Sequence, residues 1–215
     1  MKRYFIPAQE TRTEITVVNS RFIATLAAAF SVDQARDFIA RIKSEFSDAS
    51  HNVPAFVIGH GTSSIAHCSD DGEPTGTAGR PALAVLQGSG LGDTAVVVTR
   101  YFGGTKLGKG GLVRAYGDAV RAVLEAVPRA EKITTHKVRL VLPYPYYERI
   151  KLLITEHQGK ILNEEFAGDV TILSRFTLEL FPAFQNALQE LSRGSLKAEI
   201  IETNEATILP VGEFR

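Results

Sequence analysis

Fourteen of the chain's 18 glycines lie between Gly59 and Gly117, and the other four are scattered over the rest of its 215 residues. Glycine concentrates where backbone must turn with positive φ or run close against another group. This stretch is therefore expected to fold as short elements joined by demanding loops. Two loops dominate it: SDDGEPTGTAGRPAL at 69–83 and RYFGGTKLGKGGLVRAY at 100–116. The second leaves an apolar run, TAVVVTRYF at 94–102, whose lack of alternation predicts a strand buried on both faces. It enters a helix over 112–127, with Leu112, Tyr116, Ala119, Val120, Val123 and Val127 inward and Arg114, Asp118, Arg121 and Glu125 outward. A strand–loop–helix junction is where α/β proteins usually present a site.

Around this segment the pattern continues as mixed α and β. Residues 20–29 and 54–59 read as strands. Between them 31–46 reads as a helix, opened by a Ser31–Gln34 capping box. Residues 128–135 (PRAEKITT) read as a polar connector. Beyond lies a weak repeat: Tyr144-Pro145-x-Tyr147 opens one helical stretch and Phe181-Pro182-x-Phe184 another, 37 residues later. Apolar strands at 137–142, 160–166, 171–180 and 197–202 flank them. The order is β-α-β-β-α-β, the ferredoxin-like arrangement, in a domain of about 70 residues. Tyr144, Tyr146 and Tyr147 are expected to fill its core.

Composition excludes more than it selects. Lys plus Arg and Asp plus Glu are both 24, so a wholesale basic coat for nucleic acid or membrane is ruled out and any charged surface is local. The single cysteine, Cys68, fits a reducing compartment. The N-terminus lacks an apolar signal region, and the longest uncharged apolar stretch, Phe22 to Val32, is too short to span a bilayer. The expectation is a cytoplasmic protein with no membrane partner.

The chemistry-bearing residues fall in the two loops. Gly103 to Gly110 reads G-x-x-x-x-G-K-G, lacking the Ser/Thr that would hold Mg²⁺ in a P-loop. Nor does Gly108-x-Gly110 complete a dinucleotide motif, since Val113 stands where the last glycine belongs. A less specific anion site remains open: Arg100, Lys106, Lys109, Arg114 and Arg121 face one acid, Asp118, with Tyr101, Phe102 and Tyr116 interleaved as in single-strand binders. Backbone N–H groups near Gly103, Gly104, Gly108, Gly110 and Gly111 would add positive potential. The alternative is a tight turn with a solvated basic face and core aromatics. In the first loop Asp70, Asp71 and Glu73, near His67 and Cys68, offer acid/base or metal-ligand groups. The better reading of this loop is structural: Asp-Asp-Gly is a turn signal, Pro74 and Pro81 stiffen it, and a carboxylate there can cap a helix or pair with Arg100 or Arg114. His67 and Cys68 are neighbours and would point apart on a strand.

The stretches SDDGEPTGTAGRPAL at 69–83 and TRYFGGTKLGKGGLVRAYGDAV at 99–120 resemble the signatures of the Impact family, in its bacterial two-domain form. Lys109 departs from the small residue expected in many relatives. The resemblance covers essentially the whole chain and implies an α+β protein. Its first domain (1–133) would be similar to elongation factor G domain IV, of the ribosomal-protein type, and its second (134–207) to domain V, followed by a tail (208–215). Eukaryotic members regulate translation initiation by competing for a partner of a stress-activated kinase; nucleic-acid or ribosome binding is the usual inference for bacterial ones. The signature positions are Asp70, Asp71, Glu73, Thr75, Gly76, Thr77, Gly79 and Arg80, then Arg100, Tyr101, Gly103, Gly104, Leu107, Gly108, Gly110, Gly111 and Arg114. No catalytic role, metal or cofactor comes with them. The expected function is translation-associated regulation, with RNA or a ribosome-linked partner bound through 100–116. The rival is an enzyme acting on a small phosphorylated or carboxylated substrate through the acidic loop.

Overall fold

The computed structural model describes residues 3–211. It divides into two compact units, Tyr4–Ala130 and, with Arg3, the residues from Glu131 onward.

The first unit contains strands β1 (Tyr4–Pro7), β2 (Thr11–Val17) and β3 (Ser20–Ala28), helix α1 (Val32–Glu45), and strands β4 (His51–Ile58) and β5 (Ile65–Cys68). Helix α2 (Gly79–Gly88), β6 (Thr94–Tyr101) and α3 (Gly108–Ala126) complete it. Five strands form an antiparallel sheet in the order β2-β3-β6-β4-β5. Central β6 is buried from Thr94 to Arg100. Its Ala95 and Val97 pack with Ala35, Phe38 and Ile42 of α1 on one face. Val96 and Val98 pack with Ala82 and Leu86 of α2 and Leu112, Tyr116 and Val120 of α3 on the other. Helices on both faces are why this strand shows no alternation. The Ser31 side chain accepts the Gln34 N–H at 3.1 Å, while Gln34 Oε1 accepts the Phe30 N–H at 2.9 Å.

Several elements differ from the sequence expectation. Residues 79–83, read as loop, open α2. Pro81 sits in its first turn, where a missing N–H costs no helical bond. Edge strands β2 and β5 are short or half-polar, with alternating burial in β2 and three exposed residues in β5. The 128–135 segment is not a connector: strand β7 (Arg129–Leu142) begins within it, and Ile133, Thr134 and Thr135 are buried.

The second unit continues with α4 (Tyr147–Glu156), β8 (Lys160–Phe166), β9 (Val170–Thr177), α5 (Phe181–Ser192) and β10 (Glu199–Pro210). The strands run in the order β10-β7-β9-β8, the ferredoxin-like topology. The two helices cover one sheet face, where Phe176 and Phe184 stack at 4.3 Å within a cluster that includes Leu140, Ile150 and Ile172. Tyr146 and Tyr147 pack at this core's margin, whereas Tyr144 is 49% exposed and donates to the Ala167 carbonyl. β10 runs to Pro210, into the segment expected as a tail; 212–215 lie outside the described residues. Among the described residues, no helix is long and apolar enough to cross a membrane.

Ser31→Ala removes the α1 cap and is expected to cost about 1 kcal/mol, read as a lower urea midpoint for the first unit.

Candidate functional site

The two glycine-rich loops meet. The 69–78 segment leaves edge strand β5 and leads into α2; the 102–107 segment joins β6 to α3. What joins the two is Glu73, whose side chain is only 3% exposed. Its Oε1 accepts from Arg100 Nη1 at 2.6 Å and from the Tyr116 hydroxyl at 2.8 Å. Arg100 Nη2 lies 3.3 Å from Ser20 Oγ, and its guanidinium sits between the rings of Phe22 and Phe102 at 5.4 and 5.5 Å. Burial, then the bond to Glu73, pushes the Tyr116 hydroxyl's pKa well above its ordinary value.

The neighbouring acids also have structural partners. Burial pulls the Asp70 carboxylate's pKa upward, but the N–H groups of Gly76, Gly79 and Ala78, with Arg80 nearby, hold it below the usual range. Those bonds, at 2.8, 2.8 and 3.1 Å, make Asp70 the anion at the start of α2. Asp71 is likewise held low against its burial by the Lys43 ammonium and the Asn52 N–H, the latter at 2.6 Å. His51 Nδ1 donates to the Asp71 carbonyl at 2.8 Å, leaving its Nε2 3.7 Å from Glu73. Thr77 is buried with its hydroxyl donating to the Pro74 carbonyl, and Thr75 and Arg80 are exposed. Burial, then Asp70, raises the Cys68 thiol. Cys68 packs against the α2/α3 core, while His67 rests against Phe56 of the α1 side.

These contacts change the ligand-facing set. Arg100 and Tyr116, expected to meet a phosphate and a base, are turned inward and committed to Glu73. Tyr101 is half-buried, its hydroxyl bonded to Asp48 at 2.7 Å and its ring under Arg21. Arg121 pairs with Asp118 on α3. Lys106, Lys109 and Arg114 remain exposed and form no ion pair among the described residues. Phe102, one of the aromatics interleaved with these cations in the sequence, is 49% exposed.

The glycines separate in the same way. A Cβ on Gly103 would lie 1.8 Å from the Asn19 carbonyl oxygen, so this glycine is demanded by the close pass of the β2–β3 turn. Gly110 is different: it is helical, has no positive φ, and a Cβ there would meet nothing within 4 Å. The fold does not require it. A glycine there costs helix stability while leaving the first turn of α3 bare.

Removing the carboxylate by Glu73→Ala strands a buried guanidinium and is expected to cost about 3–5 kcal/mol; Tyr116→Phe costs about 1 kcal/mol. Urea unfolding measures both. Because Asp70 and Asp71 are depressed in the folded state, their stabilisation is fully present above the ordinary carboxylate range, about pH 4, and is lost as pH falls through their folded values. The stability gap between wild type and Asp70→Asn is therefore expected to be larger at pH 7 than at about pH 3.

Comparison with known proteins places this geometry in a family. Residues 18–124 match the Impact N-terminal domain, and residues 140–195 match a domain of unknown function, DUF1949. The chain is 37% identical to the IMPACT family member YigZ of Escherichia coli, over 94% of this chain and all of that protein. It is 36% identical to YvyE of Bacillus subtilis, over 93% and 90% respectively. A crystal structure of a hypothetical protein, 37% identical, aligns over 94% of this chain and 98% of its own with a TM-score of 0.62. The chain, with its Glu73–Arg100–Tyr116 junction lying inside the matched N-terminal domain, belongs to the IMPACT family.

Proposed function

We propose that this protein is a translation-associated regulator that binds single-stranded RNA at the start of α3. The observation that carries this reading is the exposed set of Lys106, Lys109 and Arg114, without ion pairs among the described residues, around a helical first turn bared by Gly110. Three cations and a helix N-terminus suit phosphate oxygens, and Phe102 offers a ring on which a base can stack. The translation role is supported by family membership, since eukaryotic Impact proteins regulate translation initiation, and by the expected likeness of the two domains to elongation factor G domains IV and V. The acidic loop favours no enzymatic reading: Asp70 is bonded to the start of α2, Asp71 to Lys43, and Glu73 to Arg100 and Tyr116.

Fluorescence anisotropy with a short single-stranded RNA across a salt series tests the proposal. Three phosphate contacts predict a log–log salt slope of about 2 from this surface, at roughly 0.7 per contact. Lys106→Glu/Arg114→Glu should abolish that component with melting unchanged. Gly110→Ala should stabilise α3 by up to about 1 kcal/mol yet weaken binding. Affinity that ignores both salt and the charge reversal would overturn the reading.

A further inference from the structure

The sheet of the second unit carries cations in register. Its helices cover the face formed by Val138, Leu140, Leu142, Ile172 and Phe176. The opposite face is built from Lys137, Arg139 and Val141 of β7 and Thr171, Leu173 and Arg175 of β9, all half-buried or exposed. In the antiparallel ladder Lys137 lies directly opposite Arg175, and Arg175 directly opposite Lys160 of β8. Directly opposed residues of neighbouring strands share a face, about 5 Å apart, and like charges so placed repel. Three cations thus form one row across three strands. Lys137 and Arg175 have no ion pair among the described residues; Arg139, one step along the face, is held by Glu199 at 2.7 Å. A bulge in β8 between Ile161 and Asn163 leaves Asn163 opposite Leu173, and Glu165, opposite Thr171, is the acid at the far end of the face from the row. Val141 is 49% exposed on the same face.

We propose that this row is a second binding surface for a phosphodiester backbone, recognising single-stranded RNA. A linear polyanion suits a line of cations, and Leu173 beside the row, with Val141 further along the same face, offers apolar contact to bases. A four-stranded sheet of this topology is a known platform for single-stranded RNA. Here the face carries cations and aliphatic side chains where such platforms place aromatic rings, so backbone contact dominates and sequence selectivity is low. The surface goes beyond the α3 site, because its residues, strands and registers lie in the other unit.

The test uses the full chain and the same single-stranded RNA. Lys137→Gln/Arg175→Gln relieves the repulsion, so its melting temperature should not fall, while affinity drops at least tenfold. Its salt slope should fall by about 1.4, two contacts at roughly 0.7 each. Lys137→Arg should retain binding. Loss in this pair with the Lys106→Glu/Arg114→Glu component intact supports the sheet surface even if the α3 proposal fails. Unchanged affinity and slope in the glutamine pair overturns it, whatever the α3 variants do. Equal loss of affinity for an acidic polypeptide, with no salt-dependent RNA binding by wild type, also overturns it.

Discussion

One carboxylate holds the first unit's loops in place. Glu73 is buried, and alone it would be too costly to keep ionised in the protein interior. Arg100 supplies a charge-assisted bond and Tyr116 a hydroxyl, from the central strand and the long helix respectively. The loop that follows edge strand β5 is thereby tied to β6 and to α3 at a single oxygen. Asp70 then sits where it can receive three N–H groups and start α2. Asp71, one residue on, reaches Lys43 of α1. Three acids within four residues therefore anchor four different elements, and the loop's shape depends on Glu73 remaining paired.

The same geometry explains why a glycine-rich signature so easily suggests a nucleotide loop. Gly103 is required because Asn19 passes where a side chain would stand, a constraint that belongs to the sheet and not to a ligand. Gly110 answers to no such neighbour. Spacing in the sequence treats the two alike; only the tertiary contacts tell a glycine that permits packing from one that bares a helix turn. The charges divide similarly. Arg100 and Arg121 are neutralised by Glu73 and Asp118, the first from 27 residues away, while Lys106, Lys109 and Arg114 have no ion pair among the described residues.

Much of the fold was legible because its strongest signals are local. The unalternating apolar run of β6 reflects burial from both faces, and Ser31 with Gln34 marks the start of α1 with atoms three residues apart. The repeated aromatic-Pro-x-aromatic openings gave the ferredoxin-like order. What escaped was specified at a distance. Helix α2 begins with Gly79, Arg80 and Pro81, a loop-like triplet, because the anion that completes its N-terminus is Asp70, nine residues before Gly79. Strand β7 starts inside a polar stretch because pairing with neighbouring strands, and not hydrophobicity, extends it. Within the candidate site, the loops and their charges were visible, but the inward turn of Arg100 and Tyr116 was not, since it rests on a carboxylate from another loop.

Zero net charge means that no net charge draws a polyanion toward this chain. At physiological ionic strength charges beyond about 8 Å are largely screened, so only cations grouped more closely than that act together. The β7–β9–β8 row meets this condition through strand spacing, and Lys106, Lys109 and Arg114 are gathered within nine residues of chain at the start of α3. Both also carry a cost the fold does not require: a helical glycine in one, opposed like charges in the other. A neutral protein that holds Lys106, Lys109 and Arg114 without ion pairs among the described residues at one costly position, and sets Lys137 opposite Arg175 at another, is arranged for contact binding of a phosphate backbone and not for electrostatic capture from a distance.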